Sequence, residues 1–323
     1  MTQQEFETRY APTWDRLAAM LEALDAGKRA RAAELEQFPH VYRQLCGHLA
    51  LARERGYSLA LVERLNQLML RGHQALYSAR GVRRSALVEF LATGFPARVR
   101  REWRLMLLSL LLFGAPLAGT WLAVQLNPEL AYAVLDPRQA QKVEAMYSPD
   151  APHLGRERES AGDFAMFGFY IFNNVRIAFQ TFAGGLLFGV GSVFFLVFNG
   201  LHIGAVAGHL DAVGYGAQFW SFVVGHGSFE LTAIVLAGGA GLKLGAALIR
   251  PGRRTRLEAL RHAAREAVPL IYGIAAMLVI AAFIEAFWSS TTFVPHATKY
   301  AAAAGLWAAV LGYLFFAGAR RGA

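Results

Sequence analysis

The sequence predicts an all-α fold, a polytopic membrane helix bundle of about six spans preceded by a soluble N-terminal helical domain. Three observations carry this. The 323 residues are 55% hydrophobic and only 17% charged, with mean hydropathy +0.32, whereas a soluble chain is about one quarter charged. Residues 105–126 run for 22 positions without a charge, enough to cross a hydrocarbon core of about 30 Å at 1.5 Å per residue. No such run precedes residue 105, where apolar residues instead recur at helical spacing. The composition excludes a disordered chain. A single cysteine, Cys46, excludes an intrachain disulfide and a CxxC metal knuckle.

Residues 1–104 read as a cytoplasmic helical domain ending in an interfacial helix. Leu17, Leu21 and Leu24 share a helical face, as do Phe38, Val41, Leu45 and Leu49, then Leu61, Leu65, Leu68 and Leu76. That predicts three or four short helices. Glu5 and Glu7 stand where a signal peptide would be basic and then apolar, so none is expected. The domain carries 17 Lys/Arg against 11 Asp/Glu, a net of +6. A solvated face near anionic lipid accounts for this charge, and no motif for nucleic acid accompanies it. Ala86, Leu87, Phe90 and Leu91 lead to Phe95-Pro96 and then Arg98, Arg100, Arg101, Trp103 and Arg104. Such a stripe suits a helix lying among headgroups.

Charge sets the expected topology of residues 105–323. The arginines before residue 105 place the N-terminal side inside. Residues 127–163 hold four basic and seven acidic residues, a net of −3, and are expected outside. Arg250 to Arg265 contribute six arginines and mark an inside loop, and Arg320-Arg321 keep the C-terminus inside. An odd number of crossings must therefore lie between, and three fit. The expected spans are about 105–126, 177–198, 199–216, 219–245, 268–288 and 301–319, with a re-entrant 199–216 as the alternative.

Two sets of residues stand out. Small residues recur every four positions at Gly200, Gly204, Gly208, Ala212 and Gly216, at Gly185 and Gly189, and at Ala237, Gly241 and Gly245. In lipid such runs let helix backbones approach closely. Tight packing or dimerisation is favoured over a pore, and no strand or Walker lysine makes a nucleotide loop of them. The second set is polar. Asn173, Asn174 and Arg176 interrupt the aromatic segment Phe164–Phe182, where Arg176 is placed to anchor an interfacial helix at Phe164–Ile177. Asn199 also falls in an apolar stretch. His226 and Glu230 share one face of a span, and Glu285 sits near the outer end of the next. Buried carboxylates must be protonated, paired or hydrated. His202 and His209, seven apart, share a face too, and with His226 and Glu230 make a weak candidate metal set. There is no HExxH. A proton-responsive or structural hydrogen-bond network is favoured over a metal, and no cofactor is called for.

The runs Tyr170-Ile-Phe-Asn173-Asn174-Val-Arg176-Ile-Ala178-Phe179, Phe182-Ala-Gly184-Gly185-Leu-Leu-Phe-Gly189-Val-Gly191 and Phe198-Asn199-Gly200-Leu resemble the stage II sporulation protein M family. So do Gly225-His226-Gly227-Ser-Phe-Glu230-Leu231-Thr-Ala233, Ala237-Gly-Gly-Ala-Gly241-Leu and Ile284-Glu285-Ala-Phe-Trp-Ser. Gly225 and Thr232 stand where the family pattern has prolines. Trp14 with Leu17, Leu45 through Arg53, and Leu65-Asn66-Gln-Leu68 with Arg71, His73 and Tyr77 resemble its longer, non-sporulating bacterial branch.

The resemblance implies a multi-pass protein of the bacterial inner membrane. It also implies a scaffold for peptidoglycan-remodelling proteins, or for the MoxR-type AAA ATPases, von Willebrand A-domain proteins and RDD membrane proteins encoded beside the longer branch. The leading expectation is thus a non-enzymatic scaffold or adaptor in contact with membrane lipids and protein partners, with a homo-oligomer compatible. A transporter or channel component using His226, Glu230 and Glu285 is the alternative. An intramembrane metal-dependent hydrolase ranks third.

Overall fold

The computed structural model describes residues 1–25, 32–77, 87–151, 154–155 and 162–319. Ala86, Arg320 and Arg321, singled out above, lie outside them, as do the side chains of Leu24, Leu76 and Tyr77. The chain divides into two compact units, Met1–Val88 and Glu89–Ala323, so residues 89–104 belong with the second.

The first unit contains α1 (Gln3–Asp25), α2 (Ala32–Glu54) and α3 (Leu59–Tyr77). The apolar repeats close on one another: Leu17 and Leu21 from α1, Phe38, Val41, Leu45 and Leu49 from α2, and Leu61, Leu65 and Leu68 from α3 are buried around Phe6 and Trp14. At 19 to 23 residues these helices are longer than the short ones expected. Pro12 and Pro39 lie inside them without ending them. Within this core the Trp14 indole donates to His48 Nδ1 at 3.1 Å.

The second unit begins with a π-helical turn at Phe90–Gly94 and the short α4 (Phe95–Arg101). Phe95 is buried against Gly273, and the Arg100 guanidinium donates to the carbonyls of Leu314 and Ala317 at 2.7 Å each. There a cation meets the carbonyl-rich end of a helix. Then follow α5 (Trp103–Leu126), α6 (Pro137–Tyr147), α7 (Gly162–Ala183), α8 (Val190–Ala212), α9 (Gly216–Ile249), α10 (Arg256–Ile284) and α11 (His296–Phe316). A capping box at Asp136 and Gln139 starts α6, and another at Thr255 and Glu258 starts α10.

By length and composition, five helices among the described residues suffice to cross a membrane: α5, α8, α9, α10 extended to Ser289, and α11. The span boundaries expected in the middle of the chain need correcting. Residues 177–198 and 199–216 are not two spans, because the turn falls at 184–189 and α8 is one continuous helix with Asn199 in its interior. No hairpin interrupts residues 199–212, which continue α8 without a break. Nor does an interfacial helix end at Ile177, since α7 runs unbroken to Ala183.

The physical reason lies in the glycines. Gly184 meets the backbone of Gly191, Gly185 meets the backbone of Gly241, and Phe188 and Gly189 take φ of +53° and +84°. A reversal this tight needs residues without side chains. Asn173, Asn174 and Arg176 keep α7 from counting among the apolar five. At its start Phe164 packs edge-on against the Phe287 ring, and just beyond its end Gly185 meets the Gly241 backbone of α9.

The glycine runs pack helices together. On α8, a Cβ at Gly200 or Gly204 would lie 2.3 or 2.4 Å from the Phe113 or Leu117 carbonyl oxygen of α5, and one at Gly208 would strike Val124. Gly241 and Gly245 of α9 meet the backbone of the 181–189 segment in the same way. This is close packing of the small-xxx-small kind. The centre of the unit is α9, whose buried stretch from Ala233 to Gly241 is almost wholly small or aliphatic because neighbours surround it.

Two outcomes follow. Gly204→Ala forces α5 and α8 apart and should lower stability by about 1–3 kcal/mol, whereas Gly119→Ala, which meets open space, should melt like the parent in detergent. Equal melting of the two variants contradicts the packing. In the first unit, burial holds the His48 imidazole below its ordinary 6.5. The unfolded chain therefore takes up the proton first as pH falls, and stability present above about pH 6.5 is lost below it. Urea midpoints of residues 1–88 should drop between about pH 7.5 and 5.5, and His48→Gln should flatten that dependence.

Candidate functional site

The polar side chains inside the second unit gather at two levels. At one, Lys243 of α9 reaches Glu102 Oε1 at 2.5 Å and Glu266 Oε2 of α10 at 2.7 Å, and Arg101 approaches Glu266 at 3.3 Å. Every charge there has a partner. The other level lies farther along α9. Glu230 is 13 residues from Lys243 and His226 is 17 residues away, about 20 and 26 Å at 1.5 Å per residue. Across a core of about 30 Å, this second level belongs to the half nearer α6.

It is built by three helices. His226 and Glu230 share a face of α9, with Nε2 to Oε2 at 3.9 Å. Glu285 comes from the end of α10, where the helix widens into a π-helical turn at Glu285–Ser289. That turn buries both Glu285 and Ser289 toward α9, the kind of local distortion common at functional sites. Ligating atoms of His226, Glu230 and Glu285 lie within 4.8 Å of one another. Ser289 Oγ is 3.0 Å from His226 Nδ1. From α7, buried Asn174 turns in beside both carboxylates and accepts from Asn173 Nδ2 at 3.1 Å. Two buried polar atoms here, Asn174 Nδ2 and Glu285 Oε2, have no hydrogen-bond partner.

The segment between α5 and α7 covers this group. Leu154 donates its backbone N–H to the Ser290 carbonyl at 3.2 Å, and Gly155 donates to the Met146 carbonyl at 2.9 Å. Tyr147, at the end of α6, packs edge-on against Phe219 and Phe222. Burial, with the charges of Glu285 and Glu230 and the Tyr170 hydroxyl nearby, pushes the Tyr147 hydroxyl up from its usual range. Lys299 of α11, itself buried, donates to the carbonyls of Ser289 and Thr291 at 2.7 and 2.6 Å, and so braces the strand of chain carrying Ser289.

The other residues singled out by sequence lie apart. Among the metal set His202, His209, His226 and Glu230, only the last two meet. The His202 ring stacks on Phe198, and His209 Nε2 sits 2.7 Å from Glu144 Oε1 of α6. Glu285 takes the place expected for the two histidines, because α8 presents them elsewhere. Asn199 donates back to the Phe195 carbonyl of its own helix. Arg176 is exposed and approaches Asn173 Oδ1 at 3.4 Å. Sequence reasoning missed Ser289 and Tyr147. Ser289 is brought in by the π-helical turn at Glu285–Ser289 rather than by a regular helix face, and nothing local marks Tyr147.

An apolar cleft of about 440 Å³ also opens between α5, α9 and α11, lined by Trp103, Leu110, Val235, Trp307 and Leu311 among others. It contains none of the clustered polar groups.

A family model described as Stage II sporulation protein M matches residues 108–290, and one described as a domain of unknown function, DUF8413, matches residues 4–78. An uncharacterised protein of Methanocaldococcus jannaschii is 29% identical over 73 residues, 22% of this chain and 41% of that protein. The chain therefore spans about two fifths of that relative's length. No solved structure matches.

The Glu144–His209 contact is the latch that a variant can open. Glu144→Gln should loosen α6, and a loss of about 1–2 kcal/mol corresponds to a five- to thirtyfold change in the open population. Trypsin cleavage at Lys142 in detergent should accelerate by that factor; an unchanged rate removes the latch.

Proposed function

The chain belongs to the stage II sporulation protein M family, and from that premise we propose that it serves as a multi-pass scaffold or adaptor of the bacterial inner membrane. The observation that carries this reading is the division into two units. The first closes a core of its own around Phe6, Trp14 and Leu45. Among its described residues no helix is long and apolar enough to cross a membrane. A helical module attached to a membrane bundle in this way is suited to docking rather than to chemistry within the bilayer.

Orientation follows from charge. Arg101 meets Glu266, and Lys243 meets both Glu102 and Glu266, so the arginines before α5 and those of 250–265 share one side. The acidic segment around α6 lies at the other end of α9. With positive charge inside, residues 1–88 and the C-terminus face the cytoplasm. The partners that fit are those the resemblance implies, a MoxR-type AAA ATPase on the cytoplasmic side and von Willebrand A-domain, RDD or peptidoglycan-remodelling proteins in and beyond the membrane. No catalytic role is assigned.

One observation favours transport as a second reading, the buried His226, Glu230 and Glu285 with unpaired polar atoms. Intramembrane ionisable groups mark ion or substrate paths. Glu230→Gln separates the two readings, because a permeation path loses flux with partner binding intact, whereas a scaffold has no flux to lose and keeps its partner binding.

The decisive experiment is a native pull-down of the tagged full chain in mild detergent against a chain lacking residues 1–84, read by mass spectrometry. An ATPase or envelope-remodelling protein recovered only with the full chain supports the scaffold. Full recovery with the shortened chain overturns the docking role of the first unit.

A further inference from the structure

We propose that His226, Glu230 and Glu285 form a binding site for a divalent first-row transition-metal ion of the zinc class, steadied by Ser289 and Asn174. This goes beyond the scaffold reading and does not depend on it.

Donor chemistry comes first. An imidazole nitrogen and carboxylate oxygens are ordinary ligands for zinc and its neighbours, with bonds of about 2.0–2.2 Å. A tetrahedron with such arms has edges of about 3.3–3.6 Å. The ligating atoms here lie within 4.8 Å of one another, and His226 Nε2 already stands 3.9 Å from Glu230 Oε2. Small side-chain rotations close the remainder without moving a helix.

Supporting contacts have the form that a metal site needs. A ligating histidine generally donates its other ring N–H to a fixed partner, which sets the tautomer and aims the free lone pair. Ser289 Oγ, 3.0 Å from Nδ1, fills that role and leaves Nε2 directed at the carboxylates. Ser289 is in turn held by the π-helical turn, whose carbonyl at Ser289 accepts from Lys299. Ligand atoms from α9 and the end of α10 therefore meet at one point, with Asn174 of α7 beside them.

Charge and hydrogen bonding supply the independent observation. Two carboxylates and one imidazole bring their ligating atoms within 4.8 Å of one another in a largely apolar interior. Unlike the triad around Lys243, the two carboxylates have no Lys or Arg side chain paired with them among the described residues, Lys299 donating instead to the backbone carbonyls of Ser289 and Thr291, and Glu285 Oε2 and Asn174 Nδ2 are buried with no hydrogen-bond partner. Glu285 is 8% exposed and Asn174 2%. Unsatisfied buried polar atoms are costly. A divalent cation offsets both negative charges, takes up the unpaired Glu285 oxygen, and leaves the Asn174 amide to donate to the second oxygen of a bound carboxylate. The Glu230 side chain retains 17% exposure, which gives the ion a way in and leaves room for a water ligand.

The test uses the full chain purified in mild detergent, stripped with chelator and reloaded with Zn²⁺ or Co²⁺. Metal content is measured by mass spectrometry, and Co²⁺ coordination by visible absorption. The parent and His202→Gln, whose ring lies outside the group, should each retain one metal ion per chain. The Co²⁺ form should show the intense bands of a four- or five-coordinate site. His226→Gln and Glu285→Gln should lose affinity at least about tenfold while keeping the parental elution profile. A parent that retains no metal, or whose Co²⁺ spectrum is that of the hydrated ion, overturns the site and leaves protons as the neutralising charge. Equal metal content in the parent and in folded variants overturns it as well. Should the variants not fold, the parental Co²⁺ spectrum alone decides between the two.

Discussion

The architecture of the membrane unit depends on one contact, the approach of the 184–191 turn to the backbone of α9 at Gly241 and Gly245. A Cβ at Gly185 would lie 2.1 Å from the Gly241 carbonyl oxygen, and one at Gly245 would lie 2.4 Å from the Gly189 nitrogen. Two backbones meet there with nothing between them. In lipid, where hydrophobic burial does not drive helices together, close dispersion contact of this kind supplies the attraction. The contact fixes how deep α7 runs, and that depth decides which of its residues faces His226 and Glu230. Asn174 reaches them for this reason; Asn173 and Arg176, one and two positions away, do not.

The two polar levels of the bundle obey different rules. Around Lys243 the charges are paired and partly wetted, as suits a boundary with water and headgroups. Around His226 the groups are enclosed, capped by Tyr147 and Leu154, and incompletely bonded. A protein interior tolerates such a group where something compensates it or where its strain serves a purpose. At the nearby α8–α9 hairpin, by contrast, the half-buried Asp211 carboxylate accepts from the indole groups of both Trp121 and Trp220.

Much of the fold was legible in the order of residues. Leucines at helical spacing located the core of the first unit, and the uncharged run from Leu105 located α5 within two residues. In the middle of the bundle the reversal expected at 198–199 falls instead at 184–189. Hydropathy averages over many positions, and in the aromatic stretch before Gly184 the polar Asn-Asn-Arg lowers that average although the helix continues through it. The turn is encoded by four glycines, whose meaning depends on what approaches them. The same limit applied to the candidate site. His226 and Glu230 share a helix face four residues apart and could be seen locally. Glu285 is brought in from 55 residues away by tertiary packing, and His202 and His209, although on one face, serve other neighbours. Ser289 comes into position through a π-helical turn, for which no pattern of residue types exists.

The ion triad has a mechanical consequence. Glu102 sits at the junction between α4 and α5, Lys243 near the end of α9, and Glu266 within α10, so three helices are tied at a single node. Arg100, two residues from that node, is fastened to the end of α11. A force applied along the chain before α5 is consequently not absorbed by one helix but distributed to four. Because α9 is one continuous helix through both Lys243 and His226, a displacement at Lys243 is carried along it toward His226. The bundle is geared so that what tugs at one membrane face is felt at the other.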